Sequence, residues 1–323
     1  MRIERRLVGF GLFLVTVGVV ILAVRQGAVP DEAIRRAWSL WPLILIGVGL
    51  SILLAGRAGA AVGGLIVVVT FGIVIGVAIG SGTFIPGICT GDRERGTSFA
   101  ETGAELASPA RIAVEEDCGD LHLTTGDGTS WNLGGTSSDG RPPIVNASTS
   151  DVRIRSDDGT PFDLAGSEAW DLVVPRVPTI SLDVQVNAGD ARLDLAGAHV
   201  TSLSVQRNAG SVAIDLREIA AIDKLDLEVN AGSATVRLPA RSLDGAITVN
   251  AGSIALCRPA DAGLRIDLGD SVAASNDFEA HGLVRDGNRW ETPGFATAAI
   301  RIALTADANA ASLSLDPAGS CAG

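Results

Sequence analysis

The segment Leu182-Asp183-Val184-Gln185-Val186-Asn187-Ala188-Gly189-Asp190-Ala191-Arg192-Leu193-Asp194-Leu195 recurs in outline three more times between residues 180 and 258. The later copies centre on Asn208-Ala209-Gly210, Asn230-Ala231-Gly232 and Asn250-Ala251-Gly252, so successive glycines stand 21, 22 and 20 residues apart. A near-constant period of about 20 residues within one chain marks stacked supersecondary units.

Around each tripeptide the apolar residues alternate. Before the glycines they read Leu182-Val184-Val186, Leu203-Val205-Arg207, Leu225-Leu227-Val229 and Gly245-Ile247-Val249. After them come Ala191-Leu193-Leu195, Val212-Ile214-Leu216, Ala234-Val236-Leu238 and Ile254-Leu256-Arg258. Period two is the pattern of a half-buried strand. Each unit therefore reads as strand, corner, strand, with Asn and Gly supplying the backbone freedom that a sharp corner needs. One such pair leaves two strand edges unpaired, and stacking cures this because every copy bonds to the next. The expected fold is a parallel β-solenoid with coils of about 21 residues. Asn187, Asn208, Asn230 and Asn250 are placed to form an amide ladder along it. A β-sandwich also has short alternating strands, but does not require one corner at constant spacing. Calcium-binding nonapeptide repeats need Gly-Gly-x-Gly-x-Asp, which is absent.

Weaker copies flank the four. Cys118-Gly119-Asp120 precedes Leu121 and Leu123, Asn146-Ala147-Ser148 precedes Val152 and Ile154, and Asn309-Ala310-Ala311 precedes Leu313 and Leu315 as the expected last coil or cap. Residues 261–294 read as irregular, followed by closing strands.

The N-terminal third is of another kind. A basic head (Arg2, Arg5, Arg6) precedes apolar runs at 7–24, 40–55 and 62–80. Eighteen apolar residues cross a hydrocarbon layer of about 30 Å with some thinning. A signal peptide is the alternative for the first run, which is long for one and lacks a clear cleavage site. Trp38 and Trp41 suit a membrane interface, and Gly72 and Gly76 suit close helix packing or a generic glycine-rich span. The expected organisation is a three-helix membrane region at 1–83, a linker at 84–108 and an all-β domain at 109–323. Arginine counts vote weakly for an inside N-terminus.

The net charge is −12, yet residues 1–80 carry +4, leaving −16 on the remainder. An acidic domain of this size argues against nucleic acid as a partner. Cys89, Cys118, Cys257 and Cys321 all follow the apolar runs, an arrangement suited to two disulfides in an oxidising compartment with three pairings open. This places the β domain outside the cytoplasm.

No catalytic, metal or cofactor constellation emerges. His122, His199 and His281 share no ligand spacing, and neither a Gly-x-Ser-x-Gly elbow nor a Walker loop occurs. Gly269-Asp270-Ser271-Val272 looks like the nucleophile block of GDS-type lipases but lacks the later Asp-x-x-His. Asn146-Ala147-Ser148 fits a glycosylation sequon as well as a repeat corner.

Gly9, Gly11, Leu12, Leu14 and Gly18, with the string from Trp41-Pro42-Leu43-Ile44-Leu45-Ile46-Gly47 to Leu50, resemble the transmembrane region of LiaI and LiaF-type envelope-stress proteins. The stretch from Trp170 to Pro175, the Asn-Ala-Gly series and Trp290-Glu291-Thr292-Pro293-Gly294-Phe295 resemble the toastrack or adhesin-type β-solenoid that follows that region. The resemblance implies a non-enzymatic, multi-pass cell-envelope protein with the lipid bilayer as one partner. LiaF-like members restrain a membrane sensor kinase until the envelope is damaged, and other toastrack members are regarded as adhesins that bind cell wall or host surface.

Overall fold

A computed structural model describes residues 96–138, 140–157, 167–269 and 274–321. The apolar runs at 7–24, 40–55 and 62–80, Cys89 and Ser271 lie outside the described residues. In chain order the strands are β1 (Thr97–Glu105), β2 (Ala110–Gly126), β3 (Ser130–Ser137), β4 (Ile144–Ala147), β5 (Asp151–Arg155), β6 (Glu168–Pro175), β7 (Thr179–Asp194), β8 (His199–Asp215), β9 (Ala221–Arg237), β10 (Leu243–Cys257), β11 (Gly263–Leu268), β12 (Ser275–Asn276), β13 (Val284–Asp286), β14 (Arg289–Glu291) and β15 (Arg301–Leu315). The described part is all-β apart from two short 3-10 turns.

Alternation in the sequence becomes alternation in burial. In β7, Ile180, Leu182, Val184 and Val186 are buried while Ser181, Asp183 and Gln185 are not. Past the corner Ala191 and Leu193 are buried, and Asp190, Arg192 and Asp194 are exposed. Each repeat copy is thus one long strand bent at Asn-Ala-Gly, a rung with two arms whose inner faces both meet the core.

The rungs pair in parallel and in register: Gly189 lies opposite Gly210, Gly210 opposite Gly232, and Gly232 opposite Gly252. One apolar cluster runs through all of them. Each fully buried Leu, Ile or Val contributes about 1.5–3 kcal/mol relative to exposure. Gly245 breaks the inward pattern, and the space is taken by Leu304 of the neighbouring rung, whose Cδ2 would lie 2.8 Å from an added Cβ.

Two of the weaker copies join the same series and one does not. β2 stacks on β7 with Gly119 opposite Gly189, and β15 stacks on β10 with Ala311 opposite Gly252. Asn146-Ala147-Ser148 is no corner: Asn146 and Ala147 lie in β4, antiparallel to β5, and the Ser148 hydroxyl closes the hairpin by accepting from the Asp151 amide at 3.0 Å. A sequence corner and a hairpin turn look alike here because both need a small polar residue after an apolar pair.

Three further expectations change. The 84–108 linker contains strand β1. The 261–294 stretch contributes β11, β12, β13 and β14. β15 does not end the stack, since β11 and β12 pair with its far side. At either end the terminal layer is split in two: β5 and β6 cover the first and second arms of β2, and β11 and β12 cover those of β15. Large aromatics close both ends of the core, Trp131 and Trp170 at one, Phe278 edge-on to Trp290 (5.7 Å, 76°) at the other. A stack of small rungs needs bulky side chains where no further rung covers it.

Candidate interaction surface

Along the corners, side-chain amides form a continuous ladder. Asn208 Nδ2 donates to Asn187 Oδ1, Asn230 to Asn208 at 2.7 Å, Asn250 to Asn230 at 2.6 Å and Asn309 to Asn250 at 2.8 Å. Asn187 Nδ2 in turn donates to Asp117 Oδ1 at 2.6 Å. All the donors point one way, so the N–H ends of the aligned dipoles converge on a carboxylate, the polarity a negative charge prefers. Each of these asparagines donates one amide bond, and those from Asn187 to Asn250 also accept one from the next rung, so the ladder ties neighbouring rungs together.

The glycines make this spacing possible. At Gly232 φ is +126°, and a Cβ there would sit 1.9 Å from the carbonyl oxygen of Gly210. Ala311, opposite Gly252 in β15, has no positive φ, so the β15 rung turns its corner by a different backbone path.

Beneath the corners lies a feature that the apolar pattern hid. Arg207 and Glu116 are both fully buried, in a column otherwise occupied by Val186, Val229, Val249 and Ala308. Arg207 Nη1 donates to the Val186 carbonyl at 3.0 Å, while its Nε and Nη2 have no hydrogen-bond partner among the described residues. Burial lowers the guanidinium pKa, and the charges of Asp190, Glu116 and Asp120 oppose that shift. Buried charge persists only where opposite charge compensates it. The signal was present in sequence, for Arg207 stands where the other three copies have Val186, Val229 and Val249.

At the opposite turn of β8, Asp215 accepts from Arg217 Nη2 at 2.7 Å and from the Arg217 amide at 3.1 Å. Burial pushes this carboxyl up, but the Arg217 bonds together with the Arg217 and Arg237 charges outweigh it, and the pKa lies below the ordinary value.

The histidines sit apart on the surface. His122 Nδ1 is 3.3 Å from Asp171, His199 Nδ1 is 3.1 Å from the Arg176 carbonyl, and His281 Nδ1 is 3.2 Å from the Asp277 carbonyl. Among the described residues no group of three or more His, Cys, Asp or Glu is arranged to hold a metal ion. Cys257 is joined to Cys321, and Cys118 is also disulfide-bonded. Asp316 at the start of the C-terminal tail accepts from the Arg258 amide at 2.7 Å, and Arg237 donates to the Ser320 carbonyl at 3.0 Å, so the disulfide fastens a segment already laid against β10.

Outside the first arms of β5, β2, β7 and β8 runs an open groove of about 570 Å³ lined by Arg111, Arg153, Arg155, Glu115, Asp183 and Gln185 among others. Arg111 is held by Asp183 at 2.6 Å and Arg153 by Asp151 at 3.1 Å. The groove is of mixed charge and largely self-paired, a surface for contact more than a pocket for a small molecule.

Residues 8–53 match the LiaI-LiaF-like transmembrane region, and residues 92–239 match the N-terminal domain of toast_rack. No curated protein matches the chain significantly. Among solved structures, a candidate cell adhesion protein from Clostridium sporogenes ATCC 15579 is 11% identical, with 68% of this chain and 99% of that one covered and a TM-score of 0.43. A candidate adhesin from Parabacteroides distasonis ATCC 8503 is 10% identical over 68% and 97% of the two chains, with a TM-score of 0.31.

Proposed function

We propose, for a chain that carries a LiaI-LiaF-like transmembrane region ahead of a toast_rack domain, a membrane-anchored, non-enzymatic role in the cell envelope, in which a β-solenoid of roughly 21-residue coils is held at the membrane and acts through protein contacts. The observation that carries this reading is the use made of the repeat residues. The asparagines that a binding site would need are bonded to each other, and the outward faces of the arms present Ser, Thr, Gln, Asp and Arg in rows. Such a surface recognises by shape and charge and performs no chemistry.

In this reading residues 7–24, 40–55 and 62–80 cross the bilayer three times and the domain from residue 96 onward faces away from the cytoplasm. The disulfide between Cys257 and Cys321 and the bonded state of Cys118 support an oxidising location. Signalling passes from the domain, through the membrane helices, to a membrane sensor kinase or another envelope protein. Deletion of residues 1–80 then abolishes any effect on an envelope-stress reporter, and an unaltered response refutes the signalling role. Impermeant thiol labelling of intact cells tests the topology: labelling only after reduction supports it, and labelling only after lysis inverts it. Retention of the isolated 96–323 fragment on cell walls, with no reporter effect of the full chain, would transfer the role to surface adhesion.

A further inference from the structure

Among the described residues the sheet ends in four places, and they are not alike. β4 is four residues long and follows Pro142-Pro143, β12 has two residues and β13 three. Short edges and flanking prolines are how β proteins deny strangers a strand to pair with. β1 has nine residues, no proline and solvent on nearly its whole length. It pairs with β3 along one side, and among the described residues no strand pairs with its other side.

β1 is nevertheless fixed in place. An added Cβ at Gly103 would fall 1.9 Å from the Trp131 ring, so the strand crosses the buried indole at a distance only glycine allows. The Phe99 ring lies over Gly135, 2.8 Å from where a Cβ would be. Its pairing with β3 is regular from Thr97 to Thr102 and shifts register only before Glu105, so a long, preformed edge beside three short ones offers a row of backbone donors and acceptors for strand addition. Its charge selects the guest. The ionisable residues of β1 are Glu101 and Glu105, both exposed, in a region of the chain that carries a large negative balance. A second copy of β1 would set glutamate against glutamate, whereas a strand bearing Lys or Arg would set opposite charges across the new ladder.

We infer that β1 is a strand-addition site for an extended, basic segment of a partner protein. This deepens the protein-contact reading above and rests on it for the expectation of a partner. The recognition is by main-chain hydrogen bonds along residues 97–105, with Glu101 and Glu105 providing selectivity.

The test uses the full chain in detergent micelles and two acetylated, amidated heptapeptides, Thr-Lys-Val-Lys-Thr-Lys-Val and its counterpart with Glu at every Lys, followed by fluorescence anisotropy. The lysine peptide is expected to bind at least about tenfold more tightly than the glutamate peptide, with affinity falling as salt is raised. Glu101→Lys with Glu105→Lys, both at exposed positions, is expected to reverse the preference. Hydrogen exchange gives a readout independent of the variant: amides of residues 97–105 slow on peptide binding, and those of β4 do not. No binding, equal binding of both peptides, or protection elsewhere than β1 overturns the inference, as does occupation of the edge by another part of the chain or by a second copy, seen as pre-existing protection or a β1-dependent dimer. Peptide binding without any stress-reporter effect would refute the signalling reading and leave the strand-addition site standing.

Discussion

β7 to β10 and the strands at the two ends bury the same classes of side chain, yet they hold their places by different means. In the middle, like residues lie above one another: glycine on glycine, asparagine on asparagine, β-branched residue on leucine. Such a layer is its own template, because whatever suits one rung suits the next. At the ends there is no next rung, so antiparallel strands, split layers and aromatic plugs replace repetition. Regularity is thus a property of having two like neighbours, and irregularity is what closing the series requires.

The most severe way to break this comparison is to strike the residue that ties middle to end. Arg207→Ala leaves Glu116 buried without the nearby guanidinium charge and is expected to destabilise the domain by about 3–5 kcal/mol in denaturant titration. Arg207→Met combined with Glu116→Leu should recover most of that loss, and a double mutant as unstable as the single would show that the two charges do not act together. Next in size, Gly232→Ala drives a methyl into the Gly210 carbonyl and is expected to cost about 2–4 kcal/mol, whereas Ala311→Gly in the β15 rung should change stability by about 1 kcal/mol or less. Similar losses at both positions would erase the distinction between central and outer corners.

A finer probe separates the interior of the ladder from its end. Asn230→Ala removes two amide bonds and is expected to cost about 1–3 kcal/mol, while Asn309→Ala removes one at an exposed position and should cost roughly half as much. The smallest effect concerns pH. The Asp215 carboxyl titrates below its unfolded value, so its stabilisation is fully present above the ordinary carboxylate range and disappears as pH falls through the lowered folded value. Asp215→Asn should therefore lower stability at pH 7, by about 1 kcal/mol or less, and flatten the loss on acidification below pH 4, as read from thermal unfolding across pH.

Much of the central fold was legible because the physics there is local and repeated. Period-two apolar residues specify a strand face, and one tripeptide at constant spacing specifies a shared corner. The ends were less legible for reasons that can be named. β1 reads as a linker in the sequence because Thr97, Ser98, Ala100 and Ala104 have no buried face to write an apolar pattern, its partnership being with the backbone of β3. β4 hid behind a sequence that matches the corner. The Arg207 and Glu116 pair required knowledge of which rungs are near one another, since 91 residues of chain separate the two. That no strand among the described residues pairs with the outer side of β1 cannot be read from composition at all, because availability depends on what fails to pair with it.

The insertion of β15 between β10 and β11 sets the order in which the molecule can be finished. Synthesis delivers both flanking strands first and the piece that joins them last, like a keystone lowered into a waiting gap. Until residues 301–315 leave the ribosome, β10 has no parallel partner on the side away from β9, and β11, paired only with β14, has no rung on which to settle. A chain cut short before that point lacks more than a tail: it is left with an unsealed breach inside the wall.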